Sequence, residues 1–194
     1  SSWGGTVAET WTSPDGIRDI PEFTQKLSES EKIDMDSFEQ TNLTRKAAFE
    51  KALNADPGIA EKWYATGSSP TFDGSMCLPQ AWSGTALTDM NGPVWFFIEI
   101  TLSDNPVGKQ AVLSLGRIDD ADITWINGVE VGRTTGYQKE RLYAFDTGIL
   151  KKGKNVITIS VSDYSGEGGF SGQRDQLYLE IGGTKLPLAK EWKY

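Results

Sequence analysis

From Gly92 onward the apolar residues of this 194-residue chain recur at every second position. A side-chain period of two puts alternate residues on opposite faces of an extended strand, so the stretch must build sheets. Phe96, Ile98, Ile100 and Leu102 face one way, against Trp95, Phe97, Glu99 and Thr101. Ala111, Leu113 and Leu115 form the inward set of the next strand, and Leu142, Ala144 and Asp146 alternate with Tyr143 and Phe145. Ile157, Ile159 and Val161 alternate with Val156, Thr158, Ser160 and Ser162, and Leu177, Leu179 and Ile181 follow, then Leu186 to Leu188. Between Ile123–Ile126 and Val129–Gly132 lies Asn127-Gly128, the pair that best tolerates the positive φ of a two-residue hairpin turn. Some seven or eight short strands at roughly ten-residue spacing, with no helical interruption, mean a sandwich or a barrel. The expectation is a mainly β chain with an antiparallel jelly-roll β-sandwich over residues 92–194.

The first half reads differently. Residues 1–20 are loop-like, with turn signals at Gly4-Gly5 and Ser13-Pro14-Asp15-Gly16. From Pro21 to Ala65 the chain is charged and helical: Leu43, Ala47, Phe49, Ala52 and Leu53 recur at three- and four-residue spacing. Asp56-Pro57-Gly58 stops that helix, and Ile59 to Tyr64 adds one short helical turn with Ile59 and Trp63 four apart. Gly67 to Asn91 is an irregular connector that Met76, Leu78 and Trp82 could anchor to a core. The organisation expected is therefore 1–20, a helical segment and connector over 21–91, and the sandwich over 92–194.

Composition excludes several functions. With 19 Lys plus Arg against 27 Asp plus Glu the net charge is −8, which argues against nucleic acid and anionic membrane surfaces as partners. The longest apolar run, Val94 to Ile98, is too short to span a bilayer. Cys77 is the only cysteine, so no disulfide can form within the chain. There is no histidine, the commonest general base of nucleophilic esterases. Ser1, Ser2, Thr6 and Ser75 are nucleophiles by type only, and no arrangement supplies them with a base. The sequence starts at Ser1 without Met, as a mature or excised fragment would. Seven Trp and 21 Gly suit a sandwich core and also suit sugar binding.

Two groups of residues carry candidate chemistry. Asp119, Asp120 and Asp122 lie just before a strand, where carboxylates could contribute to a Ca²⁺ site or could simply be a solvated turn. Thr134–Tyr137 and Ser165–Gly172 are Gly-rich loops, and loops at the ends of a sandwich are where ligands bind. Tyr137, Tyr164 and Phe170 could stack on a sugar face while Arg133 and Arg174 donate to hydroxyls or a carboxylate. The same glycines and aromatics could instead close the sandwich ends. The glycine runs are not phosphate cradles, because no helix N-terminus follows them.

Three segments carry a resemblance. Ser-Ser-Trp-Gly-Gly-Thr-Val-Ala-Glu-Thr-Trp-Thr-Ser (Ser1 to Ser13) resembles the Gly-Gly-Thr…Glu…Trp block of sialate O-acetylesterases and related carbohydrate esterases of the SGNH-hydrolase type. Gly92 to Ile100 is similar to the first strand of the galactose-binding-like jelly roll inserted in those enzymes, and also to the sugar-binding domain of some β-galactosidases. Leu115 to Gly132, Leu150 to Val161 and the closing Leu188 to Tyr194 resemble the same insert. The family's Gly-Gln-Ser nucleophile motif and its Asp and His block have no counterpart in the chain. The resemblance implies that Gly4, Gly5 and Thr6 are a remnant of the oxyanion region, with Glu9 and Trp11 near substrate. The same residues could equally pack as a plug against the sandwich.

The expectation that follows is an accessory domain, inserted in a bacterial carbohydrate esterase that removes acetyl groups from sugar hydroxyls. By itself the chain should be non-catalytic, shaping the cleft or binding an O-acetylated glycan, with the remainder of the esterase as its partner. No cofactor is implied, and the family's setting is periplasmic or secreted. The alternatives are a free-standing carbohydrate-binding module and a purely structural spacer.

Overall fold

A computed structural model of the chain describes residues 13–17, 20, 21, 24, 28, 40, 43, 44, 56–106, 108–164 and 166–194. The chain divides into two compact units, Ser1–Ala48 and Phe49–Tyr194. In the first, α1 (Pro14–Ile17) is a single turn, and Leu43 is helical and exposed. Gly4, Gly5, Thr6, Glu9 and Trp11 lie outside the described residues, as do Ala47, Phe49, Ala52 and Leu53 of the expected helix.

The second unit is the jelly-roll sandwich. Among the described residues its strands are β1 (Ser75–Cys77), β2 (Gly92–Leu102), β3 (Gln110–Asp119), β4 (Ala121–Ile126), β5 (Val129–Thr135), β6 (Glu140–Asp146), β7 (Gly153–Asp163), β8 (Gly169–Phe170), β9 (Leu177–Ile181), β10 (Thr184–Pro187) and β11 (Glu191–Lys193). One antiparallel sheet runs β1-β11-β2-β7-β4-β5, and the other runs β10-β9-β3-β6 with β8 paired to the end of β3. The period-two pattern sets which faces meet. Val94, Phe96, Ile98 and Ile100 of β2, with Ile157, Ile159 and Val161 of β7, pack against Leu113 and Leu115 of β3 and Leu177 and Leu179 of β9. Each such side chain contributes about 1.5–3 kcal/mol on leaving water. The Asn127-Gly128 turn forms as expected, with φ of 50° and 85°.

The stretch expected as a connector is bound into this sandwich. Leu78 and Trp82 are fully enclosed in the core, and Met76 is buried beside them. β1 pairs with β11, so Ser75 faces Lys193 across the ladder. Beyond that ladder the Asp73 and Gly74 amides donate to the Tyr194 carbonyl at 2.8 and 3.0 Å, and the Tyr194 amide donates back to Gly74.

Asp56-Pro57-Gly58 opens a helical turn, α2 (Pro57–Ala60), because Asp56 caps it and Pro57 occupies the first position, where no amide hydrogen is needed. The buried Asp56 carboxylate accepts the Gly58 amide at 2.8 Å and the Trp95 indole N–H at 2.9 and 3.0 Å. Gly58 sits directly on the Trp95 ring: a Cβ there would lie 2.2–2.5 Å from three ring atoms. Gly58→Ala must therefore push the turn off the sheet, at a cost of about 1–3 kcal/mol. The expected result is a lower urea midpoint by tryptophan fluorescence; an unchanged midpoint would contradict this contact.

Candidate functional site

The loops singled out by sequence do gather at one end of the sandwich. The Asp120 amide donates to Ser162 at 3.1 Å, the Gly136 amide donates to the Asp120 carbonyl at 2.8 Å, and the Tyr164 amide donates to Asp120 Oδ2 at 2.9 Å. What they enclose is a buried ion pair. Arg141 Nε lies 3.0 Å from Asp122 Oδ1, and both side chains are fully buried. Asp122 also accepts from the Tyr143 hydroxyl at 2.9 and 2.8 Å and from Thr124 Oγ1 at 2.9 Å. The rest of the guanidinium donates to the carbonyls of Gly136, Lys139 and Asp120, fastening the β5–β6 and β3–β4 connections to one side chain. Burial pushes the Asp122 carboxyl up, opposed by its bonds to Tyr143 and Arg141; burial and the Asp122 charge raise the Tyr143 hydroxyl as well.

The three aspartates considered together for Ca²⁺ are thus divided by the fold. Asp122 turns inward to Arg141, while Asp119 and Asp120 remain near the surface. Among the described residues no group of three or more His, Cys, Asp or Glu is placed to hold a metal ion. Asp119 is pushed up from its ordinary 3.8 to about 6, by partial burial first, then by the bond to the Asp120 carboxyl and the charges of Asp120 and Asp163.

The proposed sugar contacts have separate fates. Phe170 is a core residue: it is 2% exposed and packs edge-on against Phe96 at 5.4 Å, so it has no face left for a sugar. Arg174 donates from Nη2 to the Ala189 carbonyl at 2.7 Å, and Arg133 makes a two-pronged pair with Glu130 at 2.7 Å. Tyr137 and Tyr164 stay exposed beside Asp120, Tyr137 taking a bond from Gln138 at 3.0 Å. Ser75 is exposed on β1 and donates to the Glu191 carboxylate at 2.8 Å, a contact at the surface.

A second candidate site lies on the outer face of the larger sheet. There Trp95 and Phe97 of β2 and Trp125 of β4 form a second apolar cluster, covered by Trp63 and Tyr64 from the segment after α2. Tyr64 stacks on Trp125 at 4.8 Å, Trp125 on Trp95 at 5.2 Å, and Phe72 meets Phe97 edge-on at 5.2 Å. Where this cover stops, a groove of about 560 Å³ opens between segment 63–72 and strands β2, β7 and β11. That is the size range of a small-ligand cleft. Its apolar wall includes Trp63, Phe72 and Phe97, and Phe72 keeps 38% of its surface exposed. Trp63, Ser68 and Pro70 also line an adjoining hollow of about 480 Å³.

Polar groups rim the groove. Asn127 is fixed there: its Nδ2 donates to Ile149 and to Asn155 at 2.8 Å, and its Oδ1 accepts the Val156 amide at 3.0 Å. Four lysines, Lys151, Lys154, Lys190 and Lys193, stand against two glutamates, Glu99 and Glu191. Glu99 is already paired with Lys154 at 3.0 Å. Sequence reading placed Trp95 and Phe97 on one face of β2 but had no sign that Trp63 and Tyr64, some 30 to 60 residues away along the chain, would cover it.

The class the geometry defines is an antiparallel jelly-roll sandwich with an aromatic-walled groove on one outer sheet face. No protein-family model and no curated protein matches the chain. Among solved structures it is similar to a β-glucuronidase from an uncultured Clostridium sp., with 24% identity and a TM-score of 0.44 over 54% of this chain and 19% of that one. It is also similar to Ruminococcus gnavus β-glucuronidase, with 21% identity and a TM-score of 0.47 over 56% and 19%, and to Bifidobacterium dentium β-glucuronidase, with 22% identity and 0.39 over 45% and 15%. The chain spans less than a fifth of the length of these enzymes.

Two outcomes follow for the loop end. Arg141→Met leaves Asp122 buried without its cation and should cost about 3–5 kcal/mol, read as a lower urea midpoint. The folded state also holds the Asp119 proton more tightly than the unfolded chain does. Its contribution to stability is therefore greatest below about pH 4, declines as pH rises to about 6 and is level above that. Asp120→Asn should bring the Asp119 carboxyl back towards its ordinary range in a carbon-detected NMR titration. Stability measured at pH 4 and pH 7 should then differ less than in the parent chain, and an unmoved titration would disprove the coupling.

Proposed function

We propose that this chain is a non-catalytic accessory sandwich of a carbohydrate-acting enzyme, and that it holds glycan in the groove on the outer face of the β2-containing sheet. The observation that carries the reading is the groove itself: an aromatic wall of Trp63, Phe72 and Phe97 facing a polar rim that includes Lys151, Lys190 and Lys193. Apolar walls take the C–H faces of a sugar while convergent polar groups take its hydroxyls, the division of labour common to small-molecule clefts. The chain contains no histidine, and the exposed Ser75 hydroxyl donates to the Glu191 carboxylate at 2.8 Å.

The finer reading is that the parent enzyme is a sialate O-acetylesterase-like carbohydrate esterase, with this sandwich as its inserted domain. Its support is the resemblance of residues 1–13 and 92–194 to that family. On this reading a nucleophile motif of the Gly-Gln-Ser type precedes the sequence in the gene and an Asp-x-x-His block follows it. A reading frame with neither would overturn the esterase parentage.

The purified chain should bind oligosaccharides by isothermal titration calorimetry and leave p-nitrophenyl acetate unhydrolysed. Phe72→Ala, at the exposed end of the aromatic wall, should weaken binding by about tenfold, within the range of one lost aromatic contact. Robust ester turnover by the chain alone, or full affinity in the Phe72 variant, would refute the assignment.

A further inference from the structure

Resting on the reading of the groove as a glycan site, we infer that its occupant is an acidic saccharide. The chain as a whole carries a net charge of −8, yet the groove gathers Lys151, Lys154, Lys190 and Lys193 against only Glu99 and Glu191. The two carboxylates are engaged: Glu99 holds Lys154 at 3.0 Å, and Glu191 accepts the Ser75 hydroxyl at 2.8 Å. Lys151 and Lys190 form no ion pair among the described residues, and Lys193 Nζ stands 5.0 Å from the centre of the Phe72 ring. Positive charge is thus concentrated on the rim of a partly apolar cleft, where low-dielectric walls focus the field and raise the local concentration of anions.

The position of Lys193 follows from the strand pairing. Lys193 of β11 lies opposite Phe97 of β2, and Glu99 lies opposite Val156 of β7. An ammonium is therefore held beside the aromatic wall by the sheet register itself. A sugar packed along Phe72 and Phe97 would bring an acidic substituent on its ring to Lys193 and its neighbour Lys190. A neutral sugar would leave both cations unanswered. Lysine offers a point charge with rotatable donors and does not demand the two-pronged geometry of a carboxylate, so a ring carboxylate and a ring sulfate share the required chemistry.

Calorimetric titration of the whole chain with trigalacturonic acid, galactotriose, a sulfated galactotriose and penta-glutamate tests this. Trigalacturonic acid should bind at least about fivefold tighter than galactotriose, as expected for one or two exposed charge contacts, and the preference should shrink in high salt. The sulfated trisaccharide tells which anion is preferred; either anionic sugar exceeding the neutral one supports the proposal. Lys190→Gln with Lys193→Gln should lower trigalacturonic acid affinity to that of galactotriose measured on the same variant, with the thermal midpoint unchanged. Equal binding of acidic and neutral trisaccharides overturns acidic selectivity and leaves the glycan reading standing. Penta-glutamate binding as tightly as the acidic sugars overturns it too, because charge alone would then suffice. Binding of none of the saccharides refutes the glycan reading itself.

Discussion

The contact on which the functional surface depends is the one between Trp95 and the Asp56–Gly58 turn. A sandwich strand ordinarily buries one face, and the other is left to solvent. β2 buries both, because Trp95 and Phe97 project from its outer face and must be covered. Asp56 supplies the anchor: one carboxylate satisfies the first turn of α2 and the indole N–H together, and the absence of a side chain at Gly58 lets the turn lie flat on the ring. Everything that follows along the chain, from Trp63 to Phe72, is laid over the sheet from that point. The groove is the space left where this cover ends.

Most of the sandwich was legible in the sequence because burial on a sheet is a local pattern. The inward sets of β2, β3, β7 and β9 follow from alternation alone, and Asn127-Gly128 announces its own turn. The connector between residues 67 and 91 was harder, since β1 is three residues long and exists only by pairing with β11 more than a hundred residues later. The candidate sugar contacts show the limit most clearly. Phe170 looked like a loop aromatic but packs under Phe96, because β8 is a two-residue strand that turns it inward. Arg141 shows the opposite failure. It occupies an inward position of β6 between Leu142 and the loop, a charge that alternation would place in the core only if Asp122 were known to be waiting there.

The loop end and the outer groove also differ physically. The loop end is rigid and self-satisfied: Arg141 spends its donors on Asp122 and on three loop carbonyls, so the loops it holds are scaffolding. The outer groove has the reverse character. Its aromatic wall is partly exposed and several of its lysines have no carboxylate partner among the described residues, so it retains capacity for a ligand. Buried polar groups that are fully hydrogen-bonded specify structure; surface groups held in place but left unanswered are what recognition requires.

The pairing of β1 with β11 has a further consequence. Gly74 and Tyr194 exchange hydrogen bonds beyond the same ladder, so the start of β1 and the end of β11 lie side by side. The segment that covers the outer sheet face is therefore pinned at both of its ends, by Asp56 on Trp95 at one and by the β1–β11 ladder at the other. The ladder acts as a clasp: opening it would free the far end of the cover and, with it, one wall of the groove.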